Sequence, residues 1–140
     1  MPENTKKKHS KFVIDTSALI SFLLPDEISN KKIKEIFNNF ASGNYTLYAP
    51  HLLIYEVANV LKTAVIRERL LNKDAINIFE KFLNLPIIFL KVDYVKALEL
   101  SIKYNLTFYD ASYVQLAYEK KADFLSLDKK LLNTFLNLTH

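Results

Sequence analysis

Short apolar runs typical of buried strands alternate along this chain with longer segments whose apolar residues recur at helical spacing. Four of the runs are predicted to be strands: Lys11 to Ile14, Tyr45 to Ala49, Ile87 to Leu90 and Ala122 to Leu125. Strands that are separated by helices pair in parallel, and right-handed crossovers then cover both faces of the sheet. The alternation therefore predicts an α/β fold in three layers, α/β/α, with a central parallel sheet of Rossmann-like topology.

The segments between these runs are predicted to be helices, and several carry start or stop signals. Pro50 is placed to open a helix, because the N–H that proline lacks is not needed in a first turn. Asp93 and Thr107 are candidate caps of two other helices. The predicted helices cover Thr16 to Leu24, about Asn30 to Phe40, Pro50 to about Arg69, Asp74 to Leu83, Asp93 to Tyr104, Thr107 to about Glu119, and Asp128 to Leu132.

Composition narrows the class of protein further. The 140 residues suit one domain, which we place at residues 11–140, behind a disordered basic tail at residues 1–10. The single glycine, Gly43, excludes the glycine-rich phosphate loops of dinucleotide-binding and P-loop proteins. The sequence has no cysteine and only three scattered histidines, which excludes thiol catalysis and zinc sites. No apolar stretch is long enough to cross a membrane, so we expect a cytoplasmic protein.

Four acidic residues, Asp15, Glu56, Asp110 and Asp128, lie where an apolar run breaks or where a helix begins. In parallel sheets functional residues gather at the carboxyl ends of the strands, and two of these acids follow predicted strands. Carboxylates without histidine or cysteine partners suit hard divalent cations, which in turn suit phosphodiester chemistry. If the four acids converge in the fold, they predict a Mg²⁺ or Mn²⁺ site.

Each of these acids also has a purely structural explanation. Asp15 and Asp128 are favoured N-cap residues, and Asp110 has the spacing of a capping box from Thr107. Glu56 is placed to pair with a basic side chain on its own surface. The two interpretations are compatible, because a carboxylate that is held by helix amides still presents its other oxygen to a cation.

The segments around the acids resemble the PIN domain, and in particular the small single-domain toxins of VapC type. In that family a strand ends in an acid that is followed two positions later by a hydroxyl or amide residue, as Asp15 and Ser17 are in VIDTSAL. A second acid lies on a helix, in a pattern like the YEVANVL segment that contains Glu56. The resemblance runs from about Lys11 to the end of the chain.

Two further motifs of the family follow in the same order. A third acid lies in the first turn of a later helix, as Asp110 does in TFYDASYVQLA, and a fourth follows the next strand, as Asp128 does. The family commonly has threonine two residues before the fourth acid, where this chain has Ser126 and so keeps the hydroxyl. The resemblance implies a PIN-like fold.

The same resemblance implies a ribonuclease, a hydrolase of RNA phosphodiester bonds, that depends on Mg²⁺ or Mn²⁺. It further implies a small antitoxin protein as partner, a homodimer and no association with membranes. The residues that it implies are Asp15 and Asp110 as direct metal ligands, Glu56 and Asp128 as ligands directly or through water, and Ser17 and Ser126 as orienting residues.

Basic and aromatic residues near these acids are candidates for binding the RNA. Lysine and arginine contact phosphates, and an aromatic ring stacks on a base. The alternatives are solvated lysines on helix surfaces and, for the aromatic residue, packing in the core. The candidates are Lys62, Arg67, Arg69, Lys129 and Lys130 for phosphates, and Tyr109 for a base.

Other functions remain open to different degrees. Aspartyl phosphatases need a second acid two residues after the first one, and this chain has Ser17 there. A catalytically silent PIN-like module that binds RNA or protein is the main alternative to the enzyme. Among enzymes, a housekeeping RNA-processing nuclease is the alternative to a toxin.

Overall fold

A computed structural model describes residues 10–24 and 31–139 of the chain. Its strands are β1 (Ser10–Ile14), β2 (Tyr45–Pro50), β3 (Ile88–Leu90) and β4 (Asp123–Leu125). Its helices are α1 (Thr16–Leu23), α2 (Lys31–Ala41), α3 (Leu52–Ile66), α4 (Asn72–Leu83), α5 (Tyr94–Tyr104), α6 (Phe108–Lys120) and α7 (Lys129–Thr139). The predicted alternation of strands and helices is therefore confirmed.

The four strands form one parallel sheet in the order β3-β2-β1-β4. In this register Phe12 of β1 pairs with Leu47 of β2 on one side and with Asp123 of β4 on the other. The chain proceeds outwards from β1 to β2 and β3, and it then crosses back to add β4 beside β1. In such sheets ligands bind outside the carboxyl ends of the strands between which the order reverses. Here that position lies between β1 and β4.

Helices cover both faces of this sheet. On one face α6 contacts β1, β2 and β4, and it packs against α5 and α7. All of residues 111–117 in α6 are buried. Helices α2 and α3 contact β2, and α1 and α4 pack against α3; right-handed crossovers place this group on the opposite face. The predicted three-layer α/β/α fold with a central parallel sheet is confirmed.

The boundaries of α3 differ from the prediction at both ends. Pro50 is the last residue of β2, and α3 begins two residues later at Leu52. Pro50 lies beyond Tyr48, the last residue of β2 that pairs with β1, so the N–H that proline lacks is not needed as a donor to β1. At the other end α3 stops at Ile66 and not near Arg69. Glu68 has a positive φ of 59°, which a continuing helix does not allow.

The last helix is longer than predicted, because α7 continues past Leu132 to Thr139. Its buried residues Leu131, Thr134 and Phe135 recur at helical spacing and hold the helix against the domain. The remaining boundaries differ from the prediction by one or two residues. Of the predicted tail, residues 1–9 lie outside the described residues, and Ser10 belongs to β1. No described helix is both long enough and apolar enough to span a bilayer.

Candidate active site

The four acids lie on different elements that meet at the carboxyl edge of the sheet. Asp15 follows β1, Glu56 lies in α3, Asp110 lies in the first turn of α6, and Asp128 directly precedes α7. Their charges interact, since Asp110 is repelled by Asp128, by Glu56 and by Asp15. The fold therefore brings into one electrostatic neighbourhood four carboxylates from distant parts of the sequence.

Asp15 lies at the centre of this neighbourhood and is the N-cap of α1. Its Oδ1 accepts hydrogen bonds from the Ala18 amide at 3.0 Å and from the Ser17 hydroxyl at 2.7 Å. Only 5% of the residue is exposed. Burial raises the pKa of Asp15 above its ordinary 3.8, although its hydrogen bonds act in the opposite direction. Asp15 is thus a fixed carboxylate whose negative charge is poorly solvated.

Two serine hydroxyls connect Asp15 to the segment that follows β4. Ser126 donates a hydrogen bond to Asp15 Oδ2 and accepts one from the Asp128 amide at 2.9 Å. Ser17 donates to Asp15 Oδ1 and accepts from the Leu127 amide at 2.9 Å. Each hydroxyl therefore uses its single proton on the Asp15 carboxylate and its lone pairs on a backbone amide. These contacts fix the ends of β1 and β4 relative to each other.

Asp128 is held at the N-terminus of α7. Its Oδ1 accepts hydrogen bonds from the backbone amides of Lys130 at 2.9 Å and Leu131 at 3.2 Å. This is the N-cap contact that the sequence predicts for this residue. Capping occupies one carboxylate oxygen, so the second oxygen is the one available for other ligands.

Asp110 forms only half of the predicted capping box. Its backbone amide donates to the Thr107 hydroxyl at 3.0 Å. Within the described chain, the Asp110 carboxylate accepts no hydrogen bond from the Thr107 backbone amide. The pKa of Asp110 is raised by burial first and then by the negative charges of Asp128 and Glu56, against a weaker opposing effect of Lys130. Capping therefore does not account for the position of this carboxylate.

Glu56 is held by two hydroxyl groups that the sequence reasoning did not identify. Its Oε1 accepts hydrogen bonds from Thr16 Oγ1 at 2.7 Å and from Tyr113 OH at 2.5 Å. A signal for both existed in the sequence, because Thr16 directly follows Asp15 and Tyr113 lies three residues after Asp110. Residues three apart on a helix share a face. Neither residue is acidic, so the pattern of carboxylates in the sequence does not include them.

The donor chemistry of the site suits Mg²⁺ or Mn²⁺, since it offers carboxylate and hydroxyl oxygens and no nitrogen or sulfur. Across residues 10–24 and 31–139, however, no three acidic or histidine side chains are arranged to hold a metal ion as they stand. The four carboxylates thus form an anionic cluster with the right donors but without a closed ligand shell.

Three of the RNA-binding candidates lie near the ends of α6 and α7. Tyr109 is 58% exposed, so it does not belong to the core. It lines a pocket of about 180 Å³ with His51, Tyr94 and other residues at the ends of β2 and β3. Lys129 and Lys130 lie in the first turn of α7, and Lys130 donates to the Asn105 carbonyl at 2.9 Å.

The other three candidates lie on α3 or just past its end, in two different grooves. Arg67 and Arg69 line a groove of about 190 Å³ together with Leu24, Asn59, Val60, Thr63 and Ala64. Asn59 and Thr63 follow Glu56 by one and two helical turns, so this groove leads away from the acids. Lys62 instead lines a mostly apolar groove of about 410 Å³ between α3 and α4.

The chain is similar to known proteins in both sequence and fold. The family model of the PIN domain matches residues 12–134. Ribonuclease VapC3 of Pyrobaculum aerophilum is 30% identical over 129 residues, which cover 89% of this chain and 95% of that protein. The crystal structure of PAE2754, also from Pyrobaculum aerophilum, superposes with a TM-score of 0.70 at 21% identity, over 93% of this chain and 97% of that one.

Proposed function

The chain belongs to the PIN-domain family, in its VapC-type group, and from this premise we propose that it is a metal-dependent endoribonuclease. Its substrate would be single-stranded or structured RNA, and its ion Mg²⁺ or Mn²⁺. The observation that carries the proposal is the convergence of Asp15, Glu56, Asp110 and Asp128 from four elements on one edge of the sheet. Two of these acids have raised pKa values, as ionisable groups at functional sites often do.

The acids would hold the cation with the carboxylate lone pairs that protein donors leave available. Asp128 and Glu56 each commit one oxygen to two donors within the protein, which leaves the other oxygen for the ion. Asp15 and Asp110 would be the direct ligands, with Ser17 and Ser126 orienting Asp15. A bound divalent cation stabilises the charge that develops on a phosphate during hydrolysis.

The raised pKa values support this assignment for a physical reason. Carboxylates that crowd together repel one another, and a cation relieves that repulsion. Closing the ligand shell would therefore accompany binding of the ion.

We propose that RNA reaches the acids along α3. Arg67 and Arg69 at the far end of the groove would bind phosphates, and Asn59 and Thr63 line the path towards Glu56. Tyr109 would stack on a base, and Lys129 and Lys130 would contact the strand on the other side of the acids. Lys62 would bind only a strand that also passes between α3 and α4.

The biological role that we propose is that of a toxin, silenced in the cytoplasm by a small antitoxin protein. The relative VapC3 is named a ribonuclease, which supports ribonuclease activity in this chain. Homodimerisation has support in α5, where Val95, Leu98 and Ile102 are all exposed at helical spacing. An exposed apolar stripe of this kind is typical of a surface that pairs with another protein.

A catalytically silent RNA- or protein-binding module is the second candidate. It is favoured by one observation, namely that no described group of three acids is arranged to hold a metal ion. Such a module would retain RNA without cleaving it at any Mn²⁺ concentration.

Cleavage of single-stranded RNA in the presence of Mn²⁺ tests the enzymatic proposal. We expect Asp15→Asn and Asp110→Asn to abolish cleavage while the circular dichroism spectrum stays unchanged. Asp93→Asn is the matched control, because Asp93 caps α5 through the Lys96 amide and asparagine caps equally well. Cleavage that persists in Asp15→Asn or Asp110→Asn would remove that acid from the mechanism.

A further inference from the structure

The side chain of Glu56 is fixed from two other helices. Thr16 is the first residue of α1 and Tyr113 lies in the second turn of α6, and both hydroxyls contact Glu56 Oε1. The two hydroxyl oxygens also lie 3.1 Å apart. One carboxylate oxygen in α3 is thus joined to both of the helices that carry the other central acids, Asp15 at the N-cap of α1 and Asp110 in α6.

The hydrogen bonds around Glu56 depend on which groups have a proton to donate. An ionised carboxylate only accepts hydrogen bonds, whereas each hydroxyl has one proton to donate. If both hydroxyls donate to Oε1, its two lone pairs are filled and the contact between Thr16 and Tyr113 carries no proton. No described residue donates a hydrogen bond to Glu56 Oε2. The two oxygens of Glu56 therefore have different environments, one saturated by protein donors and one open.

We propose that Thr16 and Tyr113 are positioning residues, which fix Glu56 so that Oε2 faces the other acids and is available to a divalent cation. This inference rests on the proposed function, because it assumes that Glu56 binds the ion. The two hydroxyls act on Glu56 as the Lys130 and Leu131 amides act on Asp128 Oδ1. Second-layer donors of this kind determine the orientation of metal-binding side chains.

Tyr113 is suited to this role because it is buried. Only 1% of the residue is exposed. Its ring packs in the hydrophobic core, so the hydroxyl cannot move away from Glu56 without the helix.

Mn²⁺ binding by variants without these hydroxyls tests the inference. Tyr113→Phe keeps the buried ring, and Thr16→Val keeps the branched shape of the side chain. We expect each to weaken Mn²⁺ binding about tenfold in isothermal titration calorimetry, as loss of a second-layer partner typically does. The Mn²⁺ concentration for half-maximal RNA cleavage should rise in parallel, whereas KM for RNA should stay unchanged. Thr16→Ser, which retains the hydroxyl, should restore binding.

Glu56→Gln determines whether the hydroxyls act through Glu56. If they do, Tyr113→Phe should add little to the loss in Mn²⁺ affinity that Glu56→Gln already causes, so the two effects should not be additive. Tyr118→Phe is the matched control, since Tyr118 lies on the same helix and is half exposed. A crystal structure of metal-free Tyr113→Phe should show the Glu56 side chain in a different rotamer.

The possible outcomes separate this inference from the proposed function. Wild-type cleavage together with unchanged Mn²⁺ affinity in both hydroxyl variants would overturn the positioning role and leave the nuclease standing. Additive losses in the Glu56→Gln background would also overturn it, because the hydroxyls would then act elsewhere. If the wild type binds Mn²⁺ but cleaves no RNA, and the two hydroxyl variants lose Mn²⁺ affinity as described, the positioning role is supported and the nuclease is contradicted. Absence of Mn²⁺ binding in the wild type would overturn both.

Discussion

At the scale of single residues, the site stores unfavourable electrostatic free energy in Asp15 and Asp110. The Asp15 carboxylate is buried and the Asp110 carboxylate is half-buried, each beside other carboxylates, and the pKa of each is raised above 3.8. A raised carboxyl pKa means that the folded chain binds the proton more tightly than the unfolded chain does. The contribution of these two acids to the free energy of unfolding therefore falls as pH rises from 3.8 through the raised pKa. It is smallest where both acids are ionised.

Asp110→Asn tests this electrostatic destabilisation. The side chain of Asp110 caps no amide in the described chain, so the substitution removes the charge without removing a helix cap. In EDTA at about pH 7, we expect the variant to be more stable than the wild type, since it removes a half-buried charge among like charges. The difference should disappear at about pH 3, where the carboxyl group is protonated in both the folded and the unfolded state. Chemical denaturation at the two pH values measures both quantities.

The control for this prediction is Asp93→Asn, which removes the same charge at an exposed helix cap. Its stability should follow the wild type at both pH values. Added Mn²⁺ should stabilise the wild type and not Asp110→Asn, because a ligand stabilises only the state that binds it. An Asp110→Asn variant that is less stable than the wild type at neutral pH would contradict the electrostatic account.

At the scale of elements, α3 connects the acids to a basic groove. Glu56 lies near its start, and Arg67 follows its last residue. At 1.5 Å per residue these two positions are about 16 Å apart along the helix. Asn59 and Thr63 line the groove between them. One face of α3 thus presents the acid that would bind the cation and, further along, a guanidinium that suits a phosphate.

Arg67→Ala should weaken RNA binding in the inactive Asp15→Asn background. Loss of one phosphate contact should reduce the slope of log affinity against log salt concentration by about 0.7 for a single strand. Fluorescence anisotropy with a labelled RNA at several salt concentrations measures the affinity and the slope together.

Lys62→Ala is the comparison for Arg67→Ala, because it removes one positive charge from the same helix but from the groove between α3 and α4. If RNA follows the groove that Arg67 lines, Lys62→Ala should change affinity less than Arg67→Ala. The reverse ranking would place the strand between α3 and α4 and would contradict the path proposed here.

At the scale of the whole molecule, the order of strands and helices was predictable, because the spacing of apolar residues reflects which face of each element is buried. The parallel sheet, its helical layers and the convergence of strand ends all follow from that periodicity. The helix caps at Asp15, Asp93 and Asp128 were also predictable, since capping is a local interaction. The PIN family assignment is confirmed by the family model and by the ribonuclease relative.

Other features depended on contacts between distant residues, which a single sequence does not record. In the sequence Tyr113 cannot be distinguished from an ordinary aromatic residue of the core. Its hydroxyl has Glu56 as a partner only because α3 lies close to α6 in the fold. The extension of α7 depends on the surface against which Phe135 packs. Likewise, whether Arg67 and Lys62 face one groove or two depends on where α1 and α4 lie.

The central claim is that the four acids together form one catalytic metal site. Anomalous diffraction from crystals soaked in Mn²⁺ tests this claim most directly. We expect an anomalous peak at the carboxyl edge of the sheet between β1 and β4, within bonding distance of Asp15 and Asp110. A pair of peaks about 3.5 to 4 Å apart would also agree, as a two-ion site. A fully occupied peak elsewhere, or none at these acids at saturating Mn²⁺, would contradict the account.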